Sequence, residues 1–351
     1  MEKLHILITA PLEEADVEKI LAVDPRVEVT YAMEEVRAEL GLTPQTTIIA
    51  YGRPMWQREL TPEEASEALD RMLAHTEVIF GWRLPLNLLS RAPRLRWVQG
   101  IGTGVDLLAG STGLLQSDVI VTNASGINTT SVIEFVICLM FMIAKKAPRF
   151  LANKGARRWE PIVTSRLKDQ TVGIIGLGGV GSEVARLARA FGMKVLGSRR
   201  SATRREKDVA GVDELFPPSE LLQMLPECDY VIVAVPLTPE TRGLIGEAEL
   251  KAMKPTAHLI NIARGPVIKQ DVLIQALKQG WIAGAALDVF DHEPLPLDSE
   301  LWELPNLIIS PHAAGQWEEY TAAVTDLFCE NLRRFLTGQE LLNLVNKGRG
   351  Y

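Results

Sequence analysis

The stretch Gly176-Leu177-Gly178-Gly179-Val180-Gly181 constrains this chain more than any other, because of what stands on either side of it. The apolar run Val172–Ile175 precedes it and a helix-periodic segment, Gly181–Phe191, follows. Glycines alone mark ordinary turns. Between a strand and a helix they do more: Gly176 permits the tight turn, Gly178 lets a diphosphate reach the backbone, and Gly181 lets helix and strand pack closely. Unpaired N–H groups and the positive end of the helix dipole then suit an anion. The context implies a Rossmann-type unit that binds a dinucleotide through Gly176, Gly178, Gly179, Val180 and Gly181.

Around this turn the chain alternates strand and helix. Val172–Ile175, Lys194–Gly197, Tyr230–Val235, Ala257–Ile262, Ala283–Val289 and Leu307–Ser310 read as strands, with helices at Gly181–Phe191, Pro218–Leu225 and Gln270–Gln279. That order is doubly wound α/β. The first third alternates too. His5–Thr9, Val27–Ala32, Val78–Trp82, Trp97–Ile101 and Val119–Val121 read as strands, and Glu13–Val23 as a helix. A second helix opens at Thr61-Pro62-Glu63-Glu64, with Thr as N-cap, Pro first and Glu third. Residues 40–61 fit no pattern and read as a loop excursion. Thr321–Leu336 reads as one long helix with Phe328, Leu332, Phe335 and Leu336 on an apolar face. At roughly 150 residues per domain, 351 residues suggest two domains.

A net charge of −7 makes nucleic acid and anionic membranes poor partners. Cys138, Cys228 and Cys329 form neither a disulfide framework nor a metal pair, which suggests a reducing compartment and no metal. The apolar run Val132–Ala144 is too short to span a membrane and contains Glu134. The expectation is a soluble, cytoplasmic protein.

Three residues stand just past successive strands: Arg264, Glu293 and His312. Doubly wound sheets place their ligands at such strand ends. Taken singly, each has an ordinary structural role. Together they supply what reduction of a 2-oxo acid needs: a cation for the carboxylate, a proton donor near neutral pH, and a carboxylate that keeps the donor charged. After the second strand, Ser198-Arg199-Arg200 stands where an NAD site usually carries an acid for the ribose 2′-hydroxyl. Arg204 and Arg205 follow. A guanidinium suits a 2′-phosphate, so NADP(H) is expected in preference to NAD(H).

These motifs resemble the D-isomer-specific 2-hydroxyacid dehydrogenases. The resemblance runs along nearly the whole chain and is most specific from Thr171 to Gly315. Pro236–Gly243, Asn261–Gly265, Asp288–Pro294 and Pro311-His312 match family segments, as does the upstream loop Gly102-Thr103-Gly104-Val105-Asp106. The resemblance implies His312 as acid/base, Glu293 as its partner and Arg264 as substrate anchor. It further implies Asp288 against the nicotinamide carboxamide with the Ile262 backbone, Val235 and Pro236 beside the adenine, and Thr241 near the phosphates. Backbone amides at Thr103 and Gly104 would receive the substrate carboxylate. A smaller flavodoxin-like substrate domain would comprise 1–125 and 317–351, with the dinucleotide-binding domain at 126–316. Dimerisation through the cofactor domain is implied, and the apolar helix from Ser131 is compatible with it.

Arg199 departs from the family's usual acid. Thr103 stands where Ala is commoner, and Trp82, Arg83 and Trp317 are open as shapers of the substrate end. The resulting expectation is an oxidoreductase exchanging a hydride between NADP(H) and a small 2-oxo or D-2-hydroxy acid. Glyoxylate and hydroxypyruvate are the first substrates, and closure over the site would exclude water. An alternative is a nucleotide-sensing binding protein of co-repressor type, although those carry long tails. Glu293, where formate dehydrogenases have Gln, disfavours that branch.

Overall fold

The computed structural model describes residues 3–42, 60–105, 108 and 113–348. By contact density it divides into two compact units, residues 1–128 with 316–351, and residues 129–315. The puzzling loop falls largely outside the described residues, as does Asp106.

The first unit holds a five-stranded parallel sheet in the order β2-β1-β3-β4-β5. Its strands are β1 (Leu4–Thr9), β2 (Val27–Tyr31), β3 (Val78–Gly81), β4 (Trp97–Gly100) and β5 (Ile120–Thr122). Successive side chains point to opposite faces of a strand, so each strand feeds two cores. Leu7, Ile79 and Val98 pack on one face with Leu69 and Leu73 of the Pro62–Leu73 helix. That helix starts with the expected capping box between Thr61 and Glu64. Ile6, Ile8, Phe80 and Trp97 pack on the other face with Tyr320, Val324, Phe328 and Leu332. Those four come from the Tyr320–Thr337 helix, so the chain's last helix seals its first sheet. Phe328 stacks on Phe80 (centroids 4.2 Å) and Trp97 (5.1 Å).

The second unit holds eight strands in the order β13-β12-β11-β10-β6-β7-β9-β8. In chain order they are β6 (Thr171–Ile175), β7 (Lys194–Ser198), β8 (Glu206–Val209), β9 (Val212–Phe216), β10 (Tyr230–Val233), β11 (His258–Asn261), β12 (Gly284–Leu287) and β13 (Leu307–Ile309). All run parallel except the edge strand β8. The order reverses between β6 and β10, the point at which such sheets bind nucleotides.

The structure corrects several boundaries. The helix after the glycine turn begins at Gly179, two residues earlier than its periodicity indicates, with Gly178 as N-cap. β10 stops at Val233 rather than Val235, three residues before Pro236, which has no N–H for a ladder. The segment expected as one helix at Pro218–Leu225 is broken into Pro218–Glu220, Leu221–Met224 and Leu225–Glu227. Pro226 removes a donor there and crowds the preceding turn. The β8–β9 hairpin and the helices Met33–Glu39 and Ala147–Gly155 are additions to the reading from sequence.

Candidate active site

The glycine turn sits where β6 and β10 part. Gly176 has φ +104°, and a Cβ there would lie 2.5 Å from the Ala234 carbonyl oxygen. A Cβ on Gly181 would lie 1.9 Å from the Gly176 carbonyl oxygen. Only glycine fits either place. At Gly178 and Gly179 a Cβ would meet nothing within 4 Å, so the start of the Gly179–Ala190 helix is bare backbone. No side chain caps it. This cradle fits the diphosphate of a dinucleotide.

Ser198 ends β7 beside the turn, its carbonyl accepting the Gly176 N–H at 2.8 Å. Arg199 and Arg200 follow on the surface. The four arginines do not act as one patch. Arg204 pairs with Glu206 at 3.2 Å, and Arg205 with Glu220 at 3.1 Å while its guanidinium lies 4.3 Å from the Phe216 ring centroid. Arg199 makes no side-chain hydrogen bond or ion pair among the described residues. Val235 and Pro236 lie past β10. The Thr241 hydroxyl donates to the Pro236 carbonyl at 2.6 Å and accepts the Thr238 N–H at 2.8 Å, closing the turn between them.

Arg264, Glu293 and His312 follow β11, β12 and β13, three neighbours at one side of the sheet. Buried Asn261 shapes the Arg264 loop, accepting the Ala263 N–H at 3.0 Å and donating to the Arg264 carbonyl at 3.1 Å. A Cβ on Gly265 would lie 1.9 Å from the Phe290 carbonyl carbon, so this glycine lets the Arg264 loop press against the Glu293 loop. Glu293 Oε1 accepts the Phe290 N–H at 2.9 Å, and its Oε2 stands 2.8 Å from His312 Nδ1. Burial pushes the Glu293 carboxyl up. The His312 hydrogen bond and charge, the Phe290 amide and the Arg264 charge outweigh it, and the net shift is down. Glu293 is therefore anionic at neutral pH, facing the ring.

Asp288 directly follows β12 and is 1% exposed. Burial raises its carboxyl against the hydrogen bonds from Ser310, Ala314 and Ala313. Ile262 follows β11, its N–H donating to the Val233 carbonyl at 3.4 Å. Asn261 and Ser310 are functional neighbours that residue type alone did not flag. The signal available for both was position, Asn261 three residues before Arg264 and Ser310 two before His312.

Thr103 and Gly104 belong to the other unit. The Thr103 hydroxyl donates to Asn128 Oδ1 at 3.0 Å, and its carbonyl accepts from Asn123 Nδ2 at 2.8 Å. Trp82 lies over this loop, its ring 3.2 Å from where a Gly102 Cβ would stand. The Arg83 carbonyl is held by the Thr9 hydroxyl at 2.8 Å. Trp317 is partly exposed. Among the described residues no cluster of His, Cys, Asp or Glu could hold a metal ion, and no helix is long and apolar enough to cross a membrane.

Residues 137–314 match the family model described as D-isomer specific 2-hydroxyacid dehydrogenase, NAD binding domain. The chain is 35% identical over 306 residues to a glyoxylate reductase of Aeropyrum pernix, covering 85% of this chain and 88% of that one. It resembles the D-isomer specific 2-hydroxyacid dehydrogenase of Xanthobacter autotrophicus solved with NADPH and MES, with a TM-score of 0.75, 30% identity and full coverage of both chains. It also resembles the NADPH-dependent glyoxylate/hydroxypyruvate reductase of Sinorhizobium meliloti solved with NADP and sulfate. There the TM-score is 0.76 and the identity 26%, covering 99% of this chain and 100% of that one.

Proposed function

This chain belongs to the D-isomer specific 2-hydroxyacid dehydrogenase family, a family of NAD(P)-dependent oxidoreductases, and we propose that it reduces small 2-oxo acids with NADPH in preference to NADH. Glyoxylate and hydroxypyruvate are the first substrates, in keeping with the activities for which its relatives are named. The observation that carries the reading is the 2.8 Å contact between His312 Nδ1 and Glu293 Oε2 on the ends of two adjacent strands.

A nicotinamide nucleotide bound at the glycine turn would supply the hydride for the substrate C2. His312 delivers the proton that the carbonyl oxygen takes up, a step for which a positioned acid typically contributes about 10²–10⁴-fold. Glu293 stabilises the imidazolium before transfer and fixes the tautomer by holding Nδ1, leaving Nε2 for the substrate. Arg264 anchors the carboxylate and polarises the carbonyl. The backbone N–H groups of Thr103 and Gly104 are neutral donors suited to a substrate carboxylate. Gly176, Gly178, Gly179, Val180 and Gly181 receive the diphosphate. Val235 and Pro236 flank the adenine. Thr241 lies near the phosphates and shapes the turn there. Asp288 and the Ile262 backbone hold the carboxamide.

Ser198, Arg199 and Arg200 receive the 2′-phosphate. An acid at position 199 would repel that group, whereas a guanidinium forks onto it. Both neighbours named above were solved with the phosphorylated nucleotide, which supports the preference.

The active form is a homodimer built on the cofactor unit. The Thr129–Ala144 helix and the segment after it present Phe150, Leu151 (66% exposed), Trp159 (99%) and Val163 (86%) to solvent. Arg149 and Asn153 grip Glu160 and hold this segment in place. Exposed large apolar groups on a held segment suit a second copy. Three free cysteines fit a reducing, cytoplasmic setting.

A screen of NADPH oxidation against a panel of 2-oxo acids, repeated with His312→Ala, tests the assignment. The variant should lose about 10²–10⁴-fold in kcat and keep its NADPH affinity. Near-normal turnover of every good substrate by the variant would sink it.

A further inference from the structure

We infer that Asp288 and Ser310 form a buried clamp that fixes the turn carrying His312, and that proton delivery depends on this positioning. The inference rests on His312 being the acid of the proposed reaction. The Asp288 carboxylate accepts three hydrogen bonds, all from the chain bracketing His312. Ser310 Oγ (2.6 Å) and the Ala313 N–H (2.8 Å) donate to Oδ1, and the Ala314 N–H (3.0 Å) donates to Oδ2. The His312 N–H donates to the Asp288 backbone carbonyl at 2.8 Å. One residue thus holds four donors spread over residues 310–314. The Ala314 carbonyl is tied in turn by the Ser131 hydroxyl at 2.8 Å.

The clamp has a strain to oppose. His312 has φ +53°, a left-handed conformation that is sterically disfavoured for a non-glycine residue. Such a conformation persists only where its surroundings over-determine it. Hydrogen bonds to an ionised carboxylate are roughly twice as strong as neutral ones, and here they act out of water. Released, the turn would relax and carry the imidazole away from Glu293. A carboxylate has about four acceptor sites. With three taken by the turn, Asp288 has one to offer a nicotinamide carboxamide, so its larger share serves His312. Among the described residues Glu293 meets the ring directly, Asp288 lies close enough to interact with its charge, and Arg264 acts on the same Glu293.

Ser310→Ala removes one donor without touching the imidazole or the glycine turn. In the whole enzyme with NADPH and glyoxylate, kcat should fall about 10-fold, since small misplacements of a reacting group are costly. KM and NADPH affinity should stay within about twofold. Ser310→Thr keeps the hydroxyl and should recover most of the rate. Asp288→Asn should lose more, about 100-fold, in the same direction.

Wild-type kcat in Ser310→Ala would overturn the clamp. So would a loss confined to melting temperature or NADPH affinity, which would leave Asp288 as a packing or cofactor contact. If the wild-type protein reduces no 2-oxo acid, the proposed reaction fails instead. The clamp is then read from the NMR signals of the His312 ring, which must differ between wild type and Ser310→Ala for it to stand.

Discussion

In the five-stranded unit, the residues at the strand ends are held through their backbone carbonyls. Thr9 donates to Arg83, Asn123 to Thr103, and Tyr320 to Ile101 at 2.5 Å. In the eight-stranded unit, two of the contacts at the strand ends instead pair charged or chargeable side chains with each other or with backbone amides, as Glu293 does with His312 and Asp288 with Ala313 and Ala314. Both sheets are parallel apart from the edge strand β8, and the central strands of each are buried on both faces, so packing does not separate them. The difference lies in what each strand end can do. Neutral frames fix a backbone loop and can offer its N–H groups without any proton changing hands. Charged pairs can store and release a proton. The proposed proton chemistry falls to the side chains of the eight-stranded unit.

If the labour is divided in this way, damage to one unit should leave the other's readout intact. The largest effect is expected from Phe328→Ala in the first unit. It empties a fully buried site between Phe80 and Trp97 and should cost about 3–5 kcal/mol in denaturant unfolding. NADPH affinity, a property of the second unit, should hardly move, and a parallel collapse of that affinity would break the comparison.

Arg199→Asp is expected to act the other way, leaving stability alone. The ratio of kcat/KM for NADPH over NADH should fall about 10–100-fold, as a forked charge-assisted contact is replaced by repulsion. An unchanged ratio would refute the cofactor assignment.

The smallest effect is a pH dependence confined to the second unit. His258 stacks on Tyr230 with centroids 6.0 Å apart, and burial holds its pKa below the ordinary 6.5. With the folded value depressed, its contribution to stability is complete above 6.5 and is lost as pH falls through the folded value. The melting temperature should therefore fall as pH drops below about 6.5, and His258→Gln should flatten that slope. An equal slope in the variant would remove His258 from the account.

Much of this was legible in the sequence because it rests on local backbone properties. Glycine spacing marked the nucleotide turn, and short apolar runs marked the strands, within a residue or two at most ends. Thr61-Pro62-Glu63-Glu64 marked its helix start. The β8–β9 hairpin was not legible, because Glu206-Lys207-Asp208-Val209 is a short, charged edge strand with no apolar face to announce it. The Pro218–Leu225 helix failed for the opposite reason, since its apolar periodicity outweighed the nearby Pro226. Arg199 to Arg205 read as one basic patch, and only folding revealed that Arg204 and Arg205 turn to carboxylates.

The sequence by itself determined the class of fold, the nucleotide turn and the identity of the chemical groups, because strand, turn and helix are decided by neighbours a few residues apart. Tertiary structure decided how those groups share their polar atoms. Asp288 meets Ser310 across 22 residues, and Phe80 meets Phe328 from the far side of the whole eight-stranded unit's sequence. Such pairings depend on which strands lie side by side, and no local pattern carries that information.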